Sequence, residues 1–119
     1  MTLYLHQANY SLESMKGLVA SPQNRKEIVA KAFEAAGGRL IDAWMAFGEY
    51  DIVVLSEFDK QVDAVSLAMA IGSSGSLTNL KTTVLISMDE AVNAMRSAGQ
   101  ITGAYKTPSN LLNVKLQHF

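Results

Sequence analysis

Apolar and polar positions change period several times along the chain, and each change marks an element. Leu3 to Asn9 is a short run rich in aromatic and aliphatic side chains and reads as a strand. Ser11 then caps a helix over Leu12 to Ala20, because its hydroxyl can accept from unpaired first-turn amides. Ser21-Pro22 restarts the helix, with serine at the cap and proline at the first position, where no amide donor is needed. This second piece runs to Ala36. Its residues Ile28, Val29, Ala32, Phe33 and Ala36 recur at helical spacing and define a buried face. Gly37-Gly38 ends it, since glycine tolerates the left-handed C-terminal geometry.

Two further strands follow, Arg39 to Phe47 and Tyr50 to Phe58, separated by Gly48-Glu49. Glycine first in a two-residue loop suits a type II′ hairpin turn. Asp59 is placed to cap a helix from Lys60 to Ile71, with Val62, Val65, Ala68 and Met69 inward. Gly72 to Gly75 is a loop, and Leu77 to Ile86 is a fourth strand. Ser87 and Glu90 form a capping box that opens a last helix ending near Ala98. The order β-α-β-β-α-β-α is the split βαβ, ferredoxin-like pattern of an α+β domain. Residues 1–98 therefore read as the domain and 99–119 as an extension. In the extension Leu112, Val114 and Leu116 alternate with polar residues as a weak strand signal.

Period-2 counting puts apolar side chains on both faces of the sheet. Ile41, Ala43, Met45 and Phe47 share one face of the second strand, while Leu40, Asp42, Trp44 and Ala46 share the other. In the third strand Ile52 and Val54 oppose Val53 and Leu55, and in the fourth Leu80, Val84 and Ile86 oppose Leu77 and Leu85. A ferredoxin-like sheet carries helices on one face only, so the other needs a cover. The simplest cover is the same face of a second copy, an isologous contact giving a homodimer or a higher homo-oligomer. Four or five large side chains per copy would contribute on the order of 10 kcal/mol there before association costs. The competing cover is the last helix or the tail of the same chain.

Composition narrows the chemistry. The 119 residues carry ten Lys+Arg against eleven Asp+Glu, which excludes a strongly basic nucleic-acid binder. With no cysteine, disulfides, thiol catalysis and thiolate metal sites are excluded. The N-terminus lacks the pattern of a secretion signal, and the apolar run Ala64 to Ile71 is too short to span a bilayer, so a cytoplasmic protein is expected. The Gly72-Ser76 loop follows a helix instead of preceding one and lacks the lysine of a phosphate cradle, which argues against nucleotide binding.

The hairpin Gly48-Glu49-Tyr50-Asp51 followed by Ile52-Val53-Val54 resembles the Gly-x-Tyr-Asp signature of the GYD domain family. Tyr4, Ser21-Pro22, Gly37-Gly38 and Asn79-Leu80-Lys81-Thr82-Thr83 sit where that family's pattern would place them, so the resemblance runs from Leu3 to Ala98. It implies a dimeric α+β barrel, in which two ferredoxin-like sheets pack face to face, and it brings no settled activity. A similar hairpin occurs in the ligand-sensing domain of the leucine-responsive transcriptional regulators, although this chain leaves no room for their helix-turn-helix.

Several residues are candidates for chemistry. Tyr50 and Asp51 leave the turn in opposite directions and would bring a phenol and a carboxylate to the sheet's end, where they can bind or move a proton. The structural alternative has Tyr50 packing and Asp51 accepting backbone amides, with Gly48 and Glu49 shaping the turn. His6 shares a strand face with Tyr4 and Ala8 and is either a general base or a hydrogen-bonded strand histidine. Trp44 lines an apolar cavity or an interface. Asp42 beside it should be paired, with Arg39 or Lys81, or line a polar pocket. His6 and His118 lie too far apart to suggest a metal site, and no cofactor is expected. Three functions remain open. The first is a module binding a small, partly apolar molecule between sheet and helices, with Asp42, Trp44 and Tyr4 as contacts. The second is a cofactor-free isomerase or monooxygenase using His6, Tyr50 and Asp51. The third is a structural assembly unit.

Overall fold

The computed structural model describes residues 1–108. The elements are β1 (Thr2–Tyr10), α1 (Leu12–Ala20), α2 (Lys26–Ala35), β2 (Gly38–Met45), β3 (Ile52–Phe58), α3 (Gln61–Ser73), β4 (Leu77–Leu85) and α4 (Met88–Ile101), with one 3-10 turn at Thr102–Ala104. Four strands form one antiparallel sheet in the order β2-β3-β1-β4. The two central strands, β1 and β3, are thus the first strand of each βαβ half, as the ferredoxin-like crossover requires. The α+β, ferredoxin-like expectation holds. Two compact units divide at Leu85/Ile86. The expected strand and His118 of the tail lie outside the described residues.

In the first unit α2 packs on β2, and α3 packs on β4 and β3. Beneath them lies the core of Tyr4, Ala8, Phe33, Ile52, Val54, Phe58, Ala64 and Leu67. Strict alternation in β3, with Ile52, Val54, Ser56 and Phe58 all buried, marks the face that the helices cover. Paired residues on neighbouring strands share a face, so Tyr4, His6 and Ala8 of β1 belong to it through their pairing with Ser56, Val54 and Ile52. Leu3 and Leu5 of β1 and Val53 and Leu55 of β3 lie on the opposite face and are only partly buried.

Four sequence expectations are corrected. First, β2 carries a bulge between Leu40 and Asp42: Leu40 pairs with Ser56 and Asp42 with Leu55, leaving Ile41 without an opposite residue. One inserted residue reverses the phase of everything beyond it. Leu40 and Ala43, three positions apart, consequently both pack on the core, and Trp44 pairs with Val53 on the other face. Leu77 of β4 likewise packs on the core; the register shifts between the Gln7 and Asn9 pairings, and Asn79 adopts φ 54° there.

Second, α2 begins at Lys26. Ser21 is the C-terminal cap of α1, its amide donating to the Gly17 carbonyl, and the chain from 22 to 25 is irregular. Arg25 stands at the cap position and makes no side-chain cap bond, while Asn24 Oδ1, one residue earlier, accepts from the Lys26 amide at 2.9 Å and satisfies that first-turn donor. Third, α3 buries Ala64 and Leu67 while Val62, Val65 and Met69 are exposed, at 64 %, 50 % and 70 %. No charged residue lies between Ala64 and Ser73, so the pattern carries no phase to read. Asp59 makes no cap, and Lys60 stands at that position. Fourth, the β2–β3 connection is no two-residue turn. Ala46 N donates to Asp51 O at 2.7 Å across a four-residue loop, and Gly48 has no positive φ, which a type II′ turn demands of it.

The second unit begins with α4, where Ser87 Oγ accepts from Glu90 N at 3.0 Å. The predicted capping serine is in place, and the helix continues to Ile101.

Candidate functional site

His6 stands at the middle of β1, on the covered face, because β1 is central and its even-numbered residues point toward α2 and α3. Its Nε2 lies 2.7 Å from Ser56 Oγ and its Nδ1 3.1 Å from Thr82 Oγ1. The ring is stacked near Tyr4, with centroids 6.2 Å apart, and meets Phe33 edge-on at 5.3 Å. Burial among these groups disfavours the charged imidazolium and lowers the pKa to about 4. His6 is therefore neutral at physiological pH, with one nitrogen donating and one accepting. It is a hydrogen-bonded strand histidine. As a base it is weak, because its conjugate acid is too strong for efficient proton transfer near neutrality.

Beside His6 is a cavity of about 70 Å³. Its apolar walls include Ala8, Val29, Phe33, Ile52, Val54, Leu67, Ala68, Ile71, Leu77 and Leu80, and its polar members are His6, Gln7, Lys81 and Thr82. Toward the end of β1 the same wall residues Val29, Ile52, Ile71 and Leu77 also line a cleft of about 360 Å³ that reaches Tyr10, Leu18 and Arg25. A neighbouring cleft of about 390 Å³ shares Tyr10, Arg25, Val29 and Ile52 and adds Pro22, Lys26 and Met45. Apolar walls with a few polar groups are what a small organic ligand requires.

The other candidates are dispersed. Asp51 anchors the hairpin loop to β1: its Oδ2 accepts from Tyr10 N at 2.9 Å, and its own amide donates to Ala8 O at 2.9 Å. The Glu49 carbonyl accepts from Asn9 Nδ2 at 3.1 Å, and Asn79 Nδ2 donates to Asn9 Oδ1 at 3.1 Å. The signature loop is thus fastened to β1, and through Asn9 to β4, by its carboxylate and a carbonyl. Tyr50 is half-buried beside it. Tyr4 is buried between His6 and Phe58, meeting Phe58 edge-on at 5.8 Å. Trp44 is half exposed on edge strand β2 and borders the larger cleft. Asp42 is paired, but with Lys26 at 2.8 Å; Arg39 instead faces Glu57 at 3.1 Å. Arg39 lies opposite Glu57 in the β2–β3 register, and Asp42, beside the bulge on the edge strand, reaches Lys26 in the first turn of α2. The Lys26 hydrogen bond and the Ala43 amide hold the Asp42 carboxyl below its usual range. Among the described residues no three His, Cys, Asp or Glu cluster as a metal site would need.

Sequence reading missed Ser56, Thr82 and Tyr10. Ser56 was detectable as the one polar residue in the buried series 52, 54, 56, 58, and Tyr10 as the next member of the series Tyr4, His6, Ala8. Thr82 faces His6 only through the β1–β4 register, which no local pattern encodes.

No curated protein matches the chain. Among solved structures it is similar to the crystal structure of FFRP-DM1, at 20 % identity with a TM-score of 0.46, over 72 % of this chain and 100 % of that one. It is similar to the hypothetical protein PHS023 from Pyrococcus horikoshii, at 20 % identity and a TM-score of 0.45, over 73 % and 92 % of the two chains. TTHA0845 from Thermus thermophilus is similar at 12 % identity with a TM-score of 0.49, over 73 % and 95 %. The GYD domain model matches residues 4–95, taking in the covered sheet face and the hairpin loop fastened to β1. The chain therefore belongs to the GYD domain family.

Proposed function

We propose that this protein is a homo-oligomeric module that binds a small, partly apolar molecule between the sheet and helices α2 and α3. The observation that carries this reading is the apolar cavity with a neutral imidazole at its edge. His6 can exchange its more exposed bond, the one to Thr82, for a bond to a ligand, while the Ser56 bond keeps the ring oriented. The cavity is too small for a whole ligand, so one end of the molecule enters it and the rest lies in the adjoining cleft. Copies pair through the face bearing Leu3, Leu5, Val53, Leu55 and Trp44. No helix among the described residues is long and apolar enough to cross a membrane; a cytoplasmic location is part of this proposal, and cell fractionation tests it.

A thermal-shift screen of small apolar and amphipathic compounds tests the binding reading, with native mass spectrometry of the purified protein beside it. One compound class is expected to raise Tm by several degrees, and Ala68→Leu, which fills the cavity, is expected to reduce that gain. A bare native mass together with no stabilising compound overturns the reading. The cofactor-free enzyme is the second reading, favoured by the position of His6 at the cavity. It requires that the bound compound be turned over and that His6→Gln abolish turnover while leaving binding measurable.

A further inference from the structure

The binding reading leaves the ligand's chemistry open, and the mouth of the site narrows it. Tyr10 and Arg25 both line the two clefts that adjoin the His6 cavity. Arg25 donates to Gln23 Oε1 at 3.0 Å and makes no ion pair among the described residues. Lys26, one residue on, is neutralised by Asp42, and Arg39 by Glu57. The Arg25 guanidinium thus keeps donors to spare at a mouth where the apolar Leu18, Val29 and Ile52 meet polar side chains such as Gln23. Tyr10 packs against the core, and its hydroxyl has no hydrogen-bond partner among the described residues. Burial holds that phenol protonated, with Arg25 near enough to oppose the effect, so it too is a donor. The nearest carboxylate of the loop, Asp51, already accepts from the Tyr10 amide. Two unmatched donors therefore line the clefts that share Val29 and Ile52 with the His6 cavity.

We infer that the ligand is an organic monocarboxylate with an unbranched or aromatic apolar body, its carboxylate held by Arg25 and Tyr10 and its body running along Val29 and Ile52 toward His6. The inference rests on the binding reading above and adds the anionic head. A planar fork of N–H donors matches a carboxylate, and an apolar body behind it gains by leaving water.

Calorimetric titration of the full chain with octanoate and, separately, with 1-octanol tests this. Octanoate is expected to bind at least about ten-fold more tightly than 1-octanol in the wild type. Arg25→Gln should remove most of that advantage, Arg25→Lys should keep part of it, and neither should alter 1-octanol binding. Circular dichroism checks that both variants fold; Tyr10→Phe supplies a second test that leaves the charge in place and should weaken octanoate alone. Equal binding of the two probes, or an octanoate preference unchanged by all three substitutions, overturns the anionic head while the apolar-site reading stands. If neither probe binds, both readings fall.

Discussion

His6 links the fold to pH. Its unfolded imidazole titrates near 6.5 and its folded one near 4, so between those values the unfolded chain holds more protons. Stability contributed by the neutral buried ring is complete above pH 6.5 and is lost as pH falls toward 4. After allowance for the ring's partial exposure this loss is about 2 kcal/mol. Urea unfolding at pH 7, 5.5 and 4 should show a steeper decline for the wild type than for His6→Gln; parallel declines would remove this account of the ring. Two glycines make a second residue-scale test. A Cβ at Gly38 would fall into the ring of the fully buried Phe58, whereas one at Gly48 meets open space with no positive φ to relieve. Gly38→Ala should cost about 2 kcal/mol by overpacking. Gly48→Ala should be neutral or stabilise by about 0.5 kcal/mol through the unfolded state. Thermal denaturation of the pair checks both, and a costly Gly48→Ala would restore the tight turn.

At the scale of elements, three helix starts have a side chain that accepts from a first-turn amide, and α3, with Lys60 at its cap, has none. Ser11 and Ser87 play that part at α1 and α4, accepting from Ser14 N and Glu90 N. Both were legible because a lone cap precedes a clear helical period. Before α2 the chain offers Ser21-Pro22 and then Asn24, and only the second is used. Asn24→Ala should therefore destabilise by about 1 kcal/mol, while Ser21→Ala should change little; chemical denaturation of the two variants measures the difference, and the reverse order would return the helix start to Ser21. The β2 bulge is a choice of the same kind. Nothing local distinguishes Ile41 from a normally paired residue, yet its insertion moves Ala43 onto the core and Trp44 away from it.

At the scale of the molecule, the proposed pairing of copies concerns the sheet face that α2 and α3 leave uncovered. Light scattering after size exclusion should give about twice 12.9 kDa or a higher multiple. Leu5→Glu, which places a charge at the centre of that face opposite Leu55, should shift the protein to a single copy. A wild-type protein that stays at 12.9 kDa across micromolar concentrations would end the proposal. Leu5 lies on the side of the sheet away from His6, so the variant should leave octanoate binding in place.

The order of elements, the strand identities, two of the helix caps and the left-handed Gly37 were determined by sequence alone, because each depends on side chains within a few residues of one another. The α+β class follows from that order, and the family resemblance from the Gly48-Glu49-Tyr50-Asp51 hairpin. His6 was legible as a candidate, and its role as a hydrogen-bonded strand histidine was one of its two readings. Tertiary structure decided its neutrality, its bonds to Ser56 and Thr82, and the cavity next to it. It also decided which half of α3 faces inward, where Asp42 finds its cation, and which side of β2 carries Trp44. These depend on register, on a bulge and on helix rotation over the sheet, and such long-range packing leaves no periodic trace in the chain when a helix is apolar all round or a strand gains one residue.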